Sequence, residues 1–98
     1  MADDKEYNGW TNYMTWVVNL HLTNEQGTDE ELRRIANSKK EYEHYKEDEL
    51  KEFVDEIVGE ETGLKGDLIG GALSEVNWRE IIESNKEEKS RKKLKRVL

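Results

Sequence analysis

An all-α fold, a compact bundle of four to five short helices, is predicted by three features of the 98-residue chain: it contains no proline, its apolar residues recur at spacings of three and four, and strand-type alternation is scarce. Abundant Glu, Lys, Leu and Ala favour the same conformation. With no linker and no internal repeat, the length suits one domain around one modest core. Only 34% of residues are hydrophobic and 40% are charged, so that core has to rest on a few large side chains, for which three Trp, four Tyr and one Phe are the candidates.

The first helix is expected over residues 12–23. Tyr13, Trp16, Val17 and Leu20 fall at offsets 0, 3, 4 and 7, and Met14, Val18 and Leu22 widen the stripe, so the helix reads as buried on much of its surface. Thr11 or Asn12 supplies its N-cap. The β-branched pair Val17 and Val18 leaves a strand as the alternative. Turn chemistry over 24–27 precedes Thr28-Asp29-Glu30-Glu31, which has the form of a capping box opening a second helix on Leu32, Ile35 and Ala36. Residues 37–40 interrupt it as a kink or a loop, after which Tyr42 and Tyr45 resume helical spacing. Leu50, Phe53, Val54, Ile57 and Val58 form the clearest amphipathic pattern in the chain, with Gly59 near its C-terminal end. A further apolar face comprises Leu64, Leu68, Ile69, Ala72, Leu73 and Val76, where Gly66, Gly70 and Gly71 suggest close helix approach or a bend. Asn77-Trp78-Arg79-Glu80 repeats the capping-box logic and opens a last helix through Ile81 and Ile82, whose basic end projects from a bundle centred on the first helix.

The absence of cysteine excludes disulfides, thiolate metal ligation and a catalytic thiol. A charged N-terminus with no apolar core region, and no apolar run of membrane-spanning length, lead to the expectation of a cytoplasmic protein that makes no membrane contact. Charge divides the chain into an acidic helical domain, 1–84, and a basic C-terminal extension or tail, 85–98. The first holds 9 Lys+Arg against 21 Asp+Glu, a net of −12, and the second 7 against 2, a net of +5. An acidic body repels phosphate backbones and favours basic partners.

The segment from Gly9 to Gly27, with Trp10, Asn12, Thr15, Trp16, Val18, Leu20, Leu22, Asn24 and Gly27 in the pattern W-x-N-x-x-T-W-x-V-x-L-x-L-x-N-x-x-G, resembles the opening of small uncharacterised proteins common in bacteriophages and other mobile elements. Residues 73–81, Leu-Ser-Glu-Val-Asn-Trp-Arg-Glu-Ile, are similar to the end of those proteins. The resemblance covers about a third of the chain and carries no activity with it. It implies a phage or mobile-element setting, in which small acidic proteins inhibit host defence nucleases.

Several constellations compete with plainer readings. Trp10, Trp16 and Trp78 serve either as core packing or as aromatic anchors for a partner. Thr11, Asn12, Thr15 and Asn19 either cap and cross-link the first helix or line a groove. Glu41-x-x-His44 has the spacing of one arm of a carboxylate-bridged metal site, but the second arm is missing and only His21 remains as a nitrogen ligand, so neither metal nor cofactor is expected. No serine sits in a nucleophile elbow, and enzymatic activity is not expected. Gly63-Leu64-Lys65-Gly66 matches a phosphate-clamping Gly-x-x-Gly loop without the strands that fold requires, which favours a structural role.

Residues 41–61 hold ten acids and two lysines. They read either as a solvated helix face or as a surface in which Glu43, Glu47, Asp48, Glu52, Asp55 and Glu56 imitate the charge of a nucleic-acid backbone toward a basic protein such as a host nuclease or CRISPR effector. The expected function is a non-enzymatic inhibitor of anti-CRISPR or anti-restriction type. The alternative is a small DNA- or RNA-associated regulatory module, dimerising through its helices and contacting phosphates with Arg91, Lys92, Lys93, Lys95 and Arg96.

Overall fold

The computed structural model describes Tyr7 and residues 9–87 and has the predicted all-α architecture: α1 (Tyr13–Asn24), α2 (Gln26–Asn37), α3 (Glu43–Val58), α4 (Gly63–Leu73) and α5 (Trp78–Ser84). Among the described residues there is no strand, so Val17 and Val18 belong to a helix.

Each helix boundary has a local cause. Asn12 caps α1, its Oδ1 accepting from the Thr15 amide at 2.9 Å. Only Glu25 separates α1 from α2, and this tight junction overturns the expected capping box. Helix α2 begins at Gln26, which places Thr28 inside the first turn, where its hydroxyl donates back to the carbonyls of Leu22 at 2.6 Å and Glu25 at 3.1 Å. At its other end α2 stops at Asn37, and the interruption is a loop through 38–42 rather than a kink. Gly59, at φ 82°, ends α3 in the left-handed region that a side chain disfavours.

The core consists of Leu22 from α1, Leu32, Ile35 and Ala36 from α2, Leu50 and Val54 from α3, Val76 from the α4–α5 turn, and Ile81 and Ile82 from α5. The bundle is therefore not centred on its first helix. Its centre is shared by α2 and the seven-residue α5, which pack on each other and each against α1 and α3. Helix α1 turns inward through Met14, Thr15, Val18 and Leu22, while of the 0, 3, 4, 7 stripe Trp16 and Val17 are half-buried and Tyr13 and Leu20 are 51% and 37% exposed. An apolar residue on every side of α1 makes the periodicity satisfy two faces at once, and packing selects the one that carries Thr15.

Helix α4 departs furthest from expectation. It is apolar, yet it buries no residue, and Leu64 and Leu68 are 75% and 64% exposed. Its glycines do not serve close helix–helix approach: a Cβ at Gly70 or Gly71 would meet nothing within 4 Å. Of Gly66, Gly70 and Gly71, only Gly66 is sterically required, because a Cβ there would lie 2.5 Å from the backbone oxygen of Glu61 in the preceding loop.

Lys46 is buried at 6% exposure and donates to the Ala36 carbonyl at 3.0 Å, in the last turn of α2, where a cation complements the negative end of the helix dipole. We expect Lys46→Ala to cost about 1–2 kcal/mol, read in urea unfolding, because that carbonyl loses its donor.

Candidate functional site

The polar residues of the N-terminal motif build a clasp between the starts of α1 and α5. Thr15, fully buried, donates its hydroxyl proton to Asn12 Oδ1 at 2.7 Å and accepts from the Asn77 amide at 2.8 Å. Asn12 Nδ2 donates to the Glu75 carbonyl at 2.8 Å, and Asn77 Nδ2 donates to the Thr11 hydroxyl at 3.3 Å. Asn77 caps α5 by accepting from the Glu80 amide at 3.1 Å, but Glu80 does not complete the capping box. Its carboxylate accepts instead from the Thr11 amide at 3.1 Å, tying two distant chain segments together. A second tie joins Asn85, buried at 6% exposure, to Asn19 at 2.9 Å and to the Ile81 carbonyl at 2.8 Å, with Asn37 donating to the Asn85 carbonyl at 3.2 Å. Thr11, Asn12, Thr15 and Asn19 thus cap and cross-link the first helix.

The three tryptophans divide. Trp10 and Trp78 pack on the core, whereas Trp16 lies with Tyr7 and Tyr13 in a surface aromatic group whose ring centroids are 5.7–6.4 Å apart. Such a patch has the composition of a binding hot spot, with Trp and Tyr side by side. On α3, the His44 ring is 5.7 Å from Tyr42 and 4.5 Å from Tyr45, so it is held by aromatic contact. Among the described residues, no group of three or more His, Asp or Glu side chains is placed to hold a metal ion.

The acids of α3 sort into two sets. Glu43, Glu47 and Glu49 are neutralised from within: Glu43 faces Lys86 at 3.1 Å and Lys46 at 3.4 Å, Glu47 faces Arg79 at 3.0 Å, and Glu49 faces Arg34 at 2.6 Å and Lys40 at 3.5 Å. These pairs join α3 to α2, to α5 and to the segment after α5. Asp48, Glu52, Asp55 and Glu56 are exposed and make no ion pair among the described residues. Their offsets of 0, 4, 7 and 8 put them on one face, opposite the buried Leu50 and Val54, with the exposed Lys51 on its flank. Of the six acids read as a partner-binding face, the structure therefore sets Glu43 and Glu47 apart from a stripe of four.

The internal pairs carry a pH signature. Hydrogen bonds from Arg34 hold Glu31 and Glu49 below the usual carboxylate value, and Lys86 does the same for Glu43. Hydrogen bonding to Glu83 and Glu43 raises Lys86, and the same Glu31 and Glu49 contacts raise Arg34. A carboxylate whose folded value is depressed stabilises the fold above its unfolded value of about 4.5, and that contribution disappears as pH falls through the lower folded value. The Lys86 contribution has the opposite sense, present below its unfolded value of about 10.5 and lost as pH rises through the folded one. These side chains are partly solvated, so each pair contributes little. We expect the melting temperature to fall as pH drops below about 4.5, with a smaller fall in Glu49→Gln; an acid limb identical in that variant would contradict the pairing.

At the C-terminal end of α3, a groove of about 710 Å³ separates it from α4. Val58, Ile69 and Leu73 give it apolar walls, and Asp55, Glu56, Glu60 and Glu61 bring four carboxylates to it. Of these four, only Glu61 has an ion-pair partner among the described residues, Lys65 at 3.9 Å. Sequence reasoning missed this groove because its walls come from two separate apolar patterns. Arg91, Lys92, Lys93, Lys95 and Arg96 lie outside the described residues.

Among the described residues, no helix is long and apolar enough to cross a membrane. No curated protein and no solved structure matches the chain. A match over residues 3–93, taking in all five helices and both halves of the clasp, does identify its family: the chain belongs to DUF7249, a family of unknown function.

Proposed function

We propose that this chain is a non-enzymatic binding protein of a bacteriophage or other mobile element, acting in the host cytoplasm on a basic host protein. A nucleic-acid enzyme of a defence system, a nuclease or a CRISPR effector, has the complementary surface, because its channel is lined with Lys and Arg to hold a phosphate backbone. An acidic helix seated there excludes the nucleic acid, which is inhibition of anti-CRISPR or anti-restriction type.

The observation that supports this reading is the sorting of charge on α3. Arginines and lysines of the fold neutralise Glu43, Glu47 and Glu49, while Asp48, Glu52, Asp55 and Glu56 stay exposed on a single face. One or two carboxylates per helical turn, spaced about 5.4 Å along the axis, present a line of negative charge to a partner. Attraction of this kind accelerates encounter and weakens with salt, and residence on the partner then depends on desolvated contacts. The aromatic group of Tyr7, Tyr13 and Trp16 is suited to supply them.

The test is affinity capture of the tagged protein from a host lysate, with and without nuclease treatment, read by mass spectrometry. Recovery of a basic nucleic-acid enzyme that survives nuclease digestion supports the proposal. Recovery that disappears with the nucleic acid contradicts it and favours a regulatory module contacting phosphates through residues 91–96.

A further inference from the structure

Among the described helices, α4 is the one that buries no residue. In a chain in which 40% of residues are charged, its eleven residues include only Lys65 and Asp67 as charges, yet none of the eleven is buried. Leu64 and Leu68 stand in solvent one turn apart, while Ile69 and Leu73 wall the groove against α3. Helix α4 thus meets the core through Leu73, keeps Leu64 and Leu68 away from the groove, and leaves Ile69 half-buried as an open apolar wall facing α3. The groove carries a second specification, its charge. Asp55, Glu56 and Glu60 bring carboxylates to it that have no ion-pair partner among the described residues.

We infer that the groove between α3 and α4 is a docking site for a basic amphipathic helix of a partner protein, one that lays an apolar stripe on Val58, Ile69 and Leu73 and sets flanking Lys or Arg against the rim carboxylates. The inference rests on the proposed binding of a basic protein and names the place where that protein is held. Charge complementarity selects this occupant. A second copy meeting the groove about a two-fold axis brings the same acidic rim against itself, an arrangement that like charges oppose. A basic helix satisfies the apolar walls and the rim together, in the helix-in-groove mode.

The test uses the full chain and a synthetic 15-residue Lys/Leu peptide with Leu at i, i+3, i+4 and i+7, beside a scrambled peptide of the same composition. Binding is followed by fluorescence anisotropy and by amide shifts in labelled protein. The patterned peptide is expected to bind at least about tenfold more tightly than the scrambled one and to shift Val58, Ile69 and Leu73. Asp55→Lys with Glu60→Lys is expected to weaken it about tenfold or more, and Asp48→Lys with Glu52→Lys by less than about threefold, both pairs keeping the wild-type helical spectrum.

Equal binding of the two peptides, with equal losses from both reversed pairs, overturns the groove and leaves the broader acidic-face reading standing. Binding indifferent to both pairs overturns the two together. Peptide binding seen only after deletion of residues 88–98 assigns the groove to the chain's own tail, and a dimer abolished by Ile69→Glu assigns it to a second copy; either result overturns a partner helix.

Discussion

Ile81→Ala is expected to destabilise the protein by about 2–5 kcal/mol, the largest effect of any single truncation considered. Ile81 is 0% exposed and sits on α5, which meets α1, α2 and α3. Its loss leaves a cavity whose walls belong to several helices, so collapse of one element cannot fill it. Small domains are stable by only about 5–15 kcal/mol, so this change shifts a substantial share of the population toward the unfolded state on warming. Urea denaturation followed by circular dichroism measures it directly. A midpoint that moves by less than the equivalent of about 1 kcal/mol would mean that α5 does not help to hold the core together.

Thr15→Val is expected to cost about 1–3 kcal/mol although it preserves shape and apolar burial. The hydroxyl it removes serves two partners at once, the Asn77 amide at 2.8 Å and Asn12 Oδ1 at 2.7 Å. Losing it opens the clasp from the α5 side and weakens the α1 cap from the other. Thr15→Ser keeps the hydroxyl and should recover most of the loss. Asn12→Ala should be less than additive with Thr15→Val, because both variants remove the same hydrogen bond. Full additivity would show that the two residues act independently and that no clasp exists.

How far the sequence disclosed this structure depends on how local each cause is. Helix class and approximate extent follow from periodicity and the lack of proline, and because capping is settled within four residues the sequence narrows the first cap to Thr11 or Asn12 and names Asn77 for the last helix. The direction each helix faces was less accessible. In α1 the apolar set covers most of the circumference, so spacing alone did not distinguish the side packed on the core, Met14, Thr15, Val18 and Leu22, from the side that leaves Tyr13 and Leu20 exposed. The Thr28 capping box failed because one intervening residue, Glu25, brought upstream carbonyls within reach of the hydroxyl. Lys46 did leave a signal that charge counting overlooked: it lies four residues before Leu50 and eight before Val54, on the buried stripe itself.

The candidate site was legible as a concentration of acid on α3, but not as the particular stripe that stays unpaired. Which carboxylates are neutralised depends on Arg34, Lys40, Arg79 and Lys86, residues brought to α3 only by the tertiary fold. The apolar pattern over α4 is visible too, but spacing gives no means of telling the part that packs, Leu73 and Val76, from the part left open, Leu64 and Leu68.

Asp48, Glu52, Asp55 and Glu56 should be reversed together to Lys and the variant carried through the same nuclease-treated capture beside the wild type, with its helical spectrum checked first. Binding through the exposed acidic face predicts that the basic partner is lost from the capture while the fold is retained. Undiminished recovery of that partner by a folded variant would contradict it.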